Sequence, residues 1–90
     1  MNDVPVVKDS EIVQTLAKGL TLIAAFGPDT QTMTIADAAR LTGFSRAGAR
    51  RILRTLEAMG YATQENGRFN LTPKILTLGF SFLRSSEIGD

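Results

Sequence analysis

Thr42-Gly43-Phe44-Ser45 leaves the chain one tight turn in which to pass from an amphipathic helix into the next, and few arrangements satisfy that. Upstream, Thr34-Ile35-Ala36-Asp37 has the form of a capping box with Asp in place of the usual Glu, and Ile35, Ala38, Ala39 and Leu41 supply a short apolar face. Glycine at 43 suits the positive φ on which helices often end, and the Ser45 hydroxyl can cap the next helix. Downstream, Ala49, Ile52, Leu53 and Leu56 fall on one side at about 100° per residue. Arg46, Arg50 and Arg54 form a stripe on the other side. Helix, turn and helix are therefore expected in sequence.

The remaining chain builds around that pair. Ile12, Val13, Leu16, Ala17, Leu20, Ile23 and Ala24 repeat at helical spacing, with Ser10 as the expected N-cap and Gly27-Pro28 as an abrupt stop. Met33 is too short an apolar element to be more than a bridge or a minimal strand. After Met59-Gly60, Tyr61 to Glu65 and Arg68 to Leu71 read as strands joined by Asn66-Gly67, a strong hairpin signal. Tyr61 and Phe69, one aromatic per strand, are assigned to packing. Thr72-Pro73 opens a last helix bearing Ile75, Leu76, Leu78, Phe80, Phe82 and Leu83. Its apolar residues lie on more than one face, so part of it should meet another surface, through dimerisation or a further domain. The expected fold is mostly α with a small β-hairpin: a winged helix-turn-helix of three helices, a hairpin wing and a C-terminal linker helix. Residues 1–9 read as a flexible arm, 10–73 as the winged helix-turn-helix, and 74–90 as a linker helix leading to an absent effector domain.

Composition removes several functions. Ninety residues, 43% of them apolar, suit one small domain. With no cysteine there is neither a disulfide framework nor a thiolate metal site, which fits a reducing cytoplasm. The first eleven residues lack the basic start and apolar run of a signal peptide, and no apolar stretch approaches a membrane span. Histidine is absent too, so the commonest general base and the commonest thiol nucleophile are both missing. A non-enzymatic protein without cofactor or metal is expected. Gly43 and Gly48 have the spacing of a phosphate loop, but Ala49 and Arg50 follow where Lys and Ser or Thr are needed.

Charge then indicates a partner. The net charge is only +1, yet five of the ten Lys and Arg residues lie between Asp37 and Glu57 with no acid among them. An arginine stripe alone is as readily a solvated helix face. Within a winged helix-turn-helix, the second helix of the pair, residues 45–59, is expected to lie in the major groove of duplex DNA. Arg46 and Arg50 are candidates for bidentate bonds to guanine, and Ala47 can touch a thymine methyl. Arg51 and Arg54 suit phosphates, as does the helix start at Thr34. Gly48 lets the helix approach closely. At the hairpin tip Asn66, Gly67 and Arg68 would place a cation near the minor groove. The alternative is a protein-interaction module whose arginines meet an acidic partner.

Several blocks together carry a resemblance. They are Val13-Gln14-Thr15-Leu16-Ala17-Lys18-Gly19-Leu20, Leu41-Thr42-Gly43-Phe44-Ser45-Arg46-Ala47-Gly48-Ala49-Arg50-Arg51, Gly60-Tyr61 and Phe69-Asn70-Leu71-Thr72-Pro73-Lys74. From about Ser10 to Phe82 the chain resembles the N-terminal DNA-binding domain of the IclR family of bacterial transcription regulators. The resemblance implies a homodimer that reads a palindromic promoter site, with a C-terminal domain that binds a small metabolite. It also implies DNA contacts at Ser45, Arg46, Arg50 and Arg51. Gly48 stands where relatives commonly carry threonine, which removes a phosphate contact from that side chain. Phe26-Gly27-Pro28-Asp29 looks most like the branch controlling breakdown of aromatic acids such as protocatechuate and 4-hydroxybenzoate.

Overall fold

Side-chain hydroxyls of Thr34, Ser45 and Thr72 open three of the helical segments and so set much of the architecture. The computed structural model describes residues 9–86. The arm expected over residues 1–9 lies outside these apart from Asp9, as do residues 87–90. A 3-10 turn at Asp9–Glu11 precedes α1 (Gln14–Ala24), α2 (Ile35–Thr42) and α3 (Arg46–Ala58). Antiparallel strands β1 (Ala62–Glu65) and β2 (Arg68–Leu71) come next, then a 3-10 turn at Pro73–Ile75 and α4 (Leu76–Ser86). The fold is the expected winged helix-turn-helix.

Two turns depend on positive φ. Gly43 ends α2 at φ 80°, with its amide donating to the Ala39 carbonyl at 2.8 Å. At the hairpin tip Asn66 and Gly67 have φ of 54° and 78°, the combination that matches the twist of paired strands. The strands pair from Ala62 opposite Leu71 to Glu65 opposite Arg68. Met33 makes the bridge: its amide donates to Phe69 O at 2.9 Å, and the Phe69 amide returns to Met33 O at 2.7 Å. The wing is thereby stitched to the segment that leads into α2.

The first three helices, the bridge and the hairpin share one core. Leu22 comes from α1, Met33 from the bridge, Ala38 from α2, Ala49, Leu53 and Leu56 from α3, and Ala62 and Phe69 from the hairpin. Tyr61 packs against it half-buried and lies just before β1. The base of α4 is tied to the end of α3. The Thr72 hydroxyl donates to Gly60 O at 2.7 Å, and Lys74 Nζ donates to Met59 O at 2.8 Å while standing 4.9 Å from the Tyr61 ring centroid.

The first helix departs from expectation in two ways. Ser10 lies in the 3-10 turn, which the Ile12 amide closes by donating to Asp9 O, and α1 instead starts after Val13 without a side-chain cap. Its buried residue is Leu22, outside the expected stripe, while Leu16 and Leu20 are 61% and 58% exposed. The helix reaches the core at its C-terminal turn, through Leu22 and Ile23, so of the expected stripe Ile23 packs on the core while Val13, Leu16 and Leu20 face outward. On α4, Leu76, Leu78, Phe80, Phe82 and Leu83 are all exposed as well. No helix among the described residues is long and apolar enough to cross a membrane.

Candidate nucleic-acid interface

The recognition candidate begins with Ser45 in extended conformation, its Oγ accepting the Gly48 amide at 3.0 Å. That bond satisfies one of the amides a helix start leaves unpaired. Glycine at 48 has a local reason. A Cβ there would stand 3.2 Å from Ser45 Oγ, tight enough to press on the cap. Ser45→Ala should cost about 1 kcal/mol of stability, measured by urea unfolding. A loss within a few tenths of zero would mean that water replaces the cap.

The buried side of α3 dictates where its arginines point. Ala49 and Leu53 are fully buried and Ile52 packs beside them, so Arg46, Arg50 and Arg51 project outward and are exposed. Among the described residues these three make no ion pair. Ala47, also exposed, interrupts the cations with a small surface. Arg54 differs, because its Nε stands 3.1 Å from Glu57 Oε1. The contact is an ion pair without hydrogen-bond alignment, since that oxygen has no hydrogen-bond partner. Such a half-exposed pair is worth only about 0.2–1 kcal/mol and yields readily to a stronger anion.

Thr34 and Asp37 form a complete capping box at α2: the Asp37 amide donates to Thr34 Oγ1 at 3.0 Å, and the Thr34 amide donates to Asp37 Oδ2 at 3.1 Å. The Thr34 amide and hydroxyl, with Arg40 adding less, hold the Asp37 carboxyl below its ordinary value of 3.8. Arg40 contributes a 3.2 Å ion pair to the other oxygen.

Arg68 does not extend from the wing tip. Its NH1 donates to Thr32 Oγ1 at 3.2 Å and lies 3.8 Å from Asp37 Oδ2, so the side chain turns back toward the start of α2. Asn66 and Gly67 form the turn at the exposed tip, and Arg68, itself exposed, leans away from it. The structure thus gathers Ser45, Arg46, Ala47, Gly48, Arg50 and Arg51 on the first turns of α3, and Thr34 with Arg68 at the start of α2.

One cation outside the expected set stands close to α3. Lys18 of α1 places its Nζ 5.4 Å from the centroid of Phe44, the residue before the Ser45 cap. No local pattern connects residues so far apart in the chain, and only the packing of α1 brings them together.

A helix-turn-helix with a bridged wing has close counterparts. The IclR helix-turn-helix domain matches residues 15–66 of this sequence. The chain belongs to the IclR family. This IclR domain is 40% identical over 80 residues to the Pca regulon regulatory protein of Pseudomonas putida, covering 89% of this chain and 28% of that protein. It is 38% identical over 82 residues to the p-hydroxybenzoate hydroxylase transcriptional activator of Acinetobacter baylyi, covering 91% and 30% respectively. Among solved structures, the IclR family transcriptional regulator from Brucella abortus superposes with a TM-score of 0.78 at 32% identity, over 83% of this chain and 30% of that one. A protein from Rhodococcus sp. RHA1 gives 0.75 at 46% identity, over 82% and 30%. The chain spans under a third of the length of these relatives.

Proposed function

We propose that this IclR-family chain is the DNA-reading part of a dimeric, cytoplasmic transcription regulator, with α3 in the major groove of a palindromic operator. The carrying observation is the outward face of α3, where Arg46, Arg50 and Arg51 stand exposed and unpaired among the described residues. Arg46 and Arg50 take guanine edges, Ala47 meets a thymine methyl, and Gly48 permits close approach. Arg51, Arg54, Ser45 and the start of α2 at Thr34 hold phosphates, while Asn66, Gly67 and Arg68 lie along the minor groove. Arg68 reaches DNA by exchanging Thr32 and Asp37 for a phosphate or a groove edge.

The outward stripe of α1 and the unburied apolar residues of α4 support the dimer, since a monomer leaves both in water. The short coverage of its relatives supports a further domain in the whole protein, which would bind a small metabolite. The names of the Pseudomonas and Acinetobacter proteins favour genes for aromatic-acid breakdown as targets. The domain itself is a binding module, not an enzyme.

Selection from a random duplex pool at two protein concentrations tests this reading. Inverted half-sites spaced by about one helical turn or a multiple of it are expected. Failure to retain any duplex at low salt would overturn it in favour of an acidic protein partner.

A further inference from the structure

We infer that the DNA footprint extends onto α1: Lys18 holds a backbone phosphate together with Arg51 across the groove between α1 and α3. This rests on the DNA-binding reading above and adds a contact that the helix-turn-helix alone does not supply.

The groove measures about 500 Å³. Lys18 and Gly19 of α1 face Gly48 and Arg51 of α3 across it, with Leu16 and Leu56 among its other walls and no acid in its lining. Neither Lys18 nor Arg51 forms an ion pair among the described residues. The cleft beside the wing, about 590 Å³, contrasts with it, because Arg40 and Arg68 there share the lining with Asp29 and Asp37. Its charges cancel, whereas the groove between α1 and α3 keeps two uncompensated cations.

Position identifies the anion. The Phe44 ring under Lys18 directly precedes the Ser45 cap, so the ammonium lies beside the end of α3 that carries Arg46. A helix seated in the major groove has phosphates along both walls, and a cation flanking its first turn meets one of them. The aromatic face restrains the ammonium, which lowers the conformational freedom the long side chain must lose on binding. The two glycines add no side chain to the lining, and beyond its own stretch of helix nothing lies within 4 Å of where a Cβ on Gly19 would stand. An ammonium suits this task because a phosphate contact needs charge more than a fixed fork.

The test measures affinity of the 90-residue chain for a selected duplex and for a random one of equal length, from about 50 to about 200 mM salt. Lys18→Gln should make the plot of log affinity against log salt shallower by about 0.9 on both duplexes. Over that range the wild type should lose about 3.5-fold more affinity than the variant. Lys18→Arg should restore the slope, and all three chains should share one thermal midpoint to within about 2 °C. A wild-type slope for Lys18→Gln overturns the contact while leaving DNA binding intact. A loss confined to the selected duplex also overturns it, by assigning Lys18 to base reading. If the wild type retains no duplex at the lowest salt, DNA binding itself falls and the contact with it.

Discussion

Alanine at Arg50 or Arg46 should narrow the gap between selected and random DNA by about 1–3 kcal/mol, roughly 5- to 150-fold in relative affinity. Both side chains emerge from a helix face whose other side is anchored by Ala49 and Leu53, so neither must abandon an internal partner to reach a base. The planar fork is what discriminates, since it matches the two acceptors of guanine while a point charge does not. Lysine at either position should therefore lose most of the discrimination and keep the salt dependence. Arg54→Ala should behave differently, weakening both duplexes alike and flattening the salt slope by about 0.9. Binding isotherms on the two duplexes across a salt series measure all of these. Equal losses on specific and random DNA for Arg46, Arg50 and Arg54 would return the whole stripe to phosphate contact.

Phe69→Ala should remove about 3–5 kcal/mol of folding stability. A small domain has only about 5–15 kcal/mol in total, so the variant should be near the edge of folding. Phe69 is fully buried and its backbone makes both hydrogen bonds to Met33, so its ring fills the space where wing, bridge and α3 converge. Truncation leaves a void that the bridge prevents from closing. Urea denaturation followed by circular dichroism gives the loss directly. A cost below about 1 kcal/mol would mean that the wing collapses onto the cavity and that its placement over α2 is not rigid.

Much of the local structure of α2, α3 and the hairpin is legible in the sequence. Capping, positive φ and apolar periodicity act within a few residues, and the structure keeps each of them at Thr34, Gly43, Ser45 and Asn66-Gly67. Met33, expected as a bridge or minimal strand, pairs with Phe69 alone. The outward direction of Arg46 and Arg50 comes from the same short-range logic, because their neighbours in the helix supply the apolar side.

The first helix shows the limit of that logic. Leu16 and Leu20 have the spacing of a core stripe and face water, while Leu22 enters the core. Periodicity reports that a helix has an apolar side. It does not report whether the surface meeting that side belongs to the same domain.

Arg68 and Lys18 show the same division among charged groups. Their place in the chain marks one as a wing cation and the other as a helix-surface lysine. The Thr32 hydroxyl and Asp37 carboxylate turn Arg68 along the surface toward the start of α2, and the Phe44 ring draws Lys18 beside α3. The order of residues therefore dictates caps, turns and the two-sided character of α3, since those forces operate along a single stretch of backbone. Which apolar side is covered, and where a long cationic side chain comes to rest, depends on segments distant in the chain. Those choices are made only when the helices and the wing pack together.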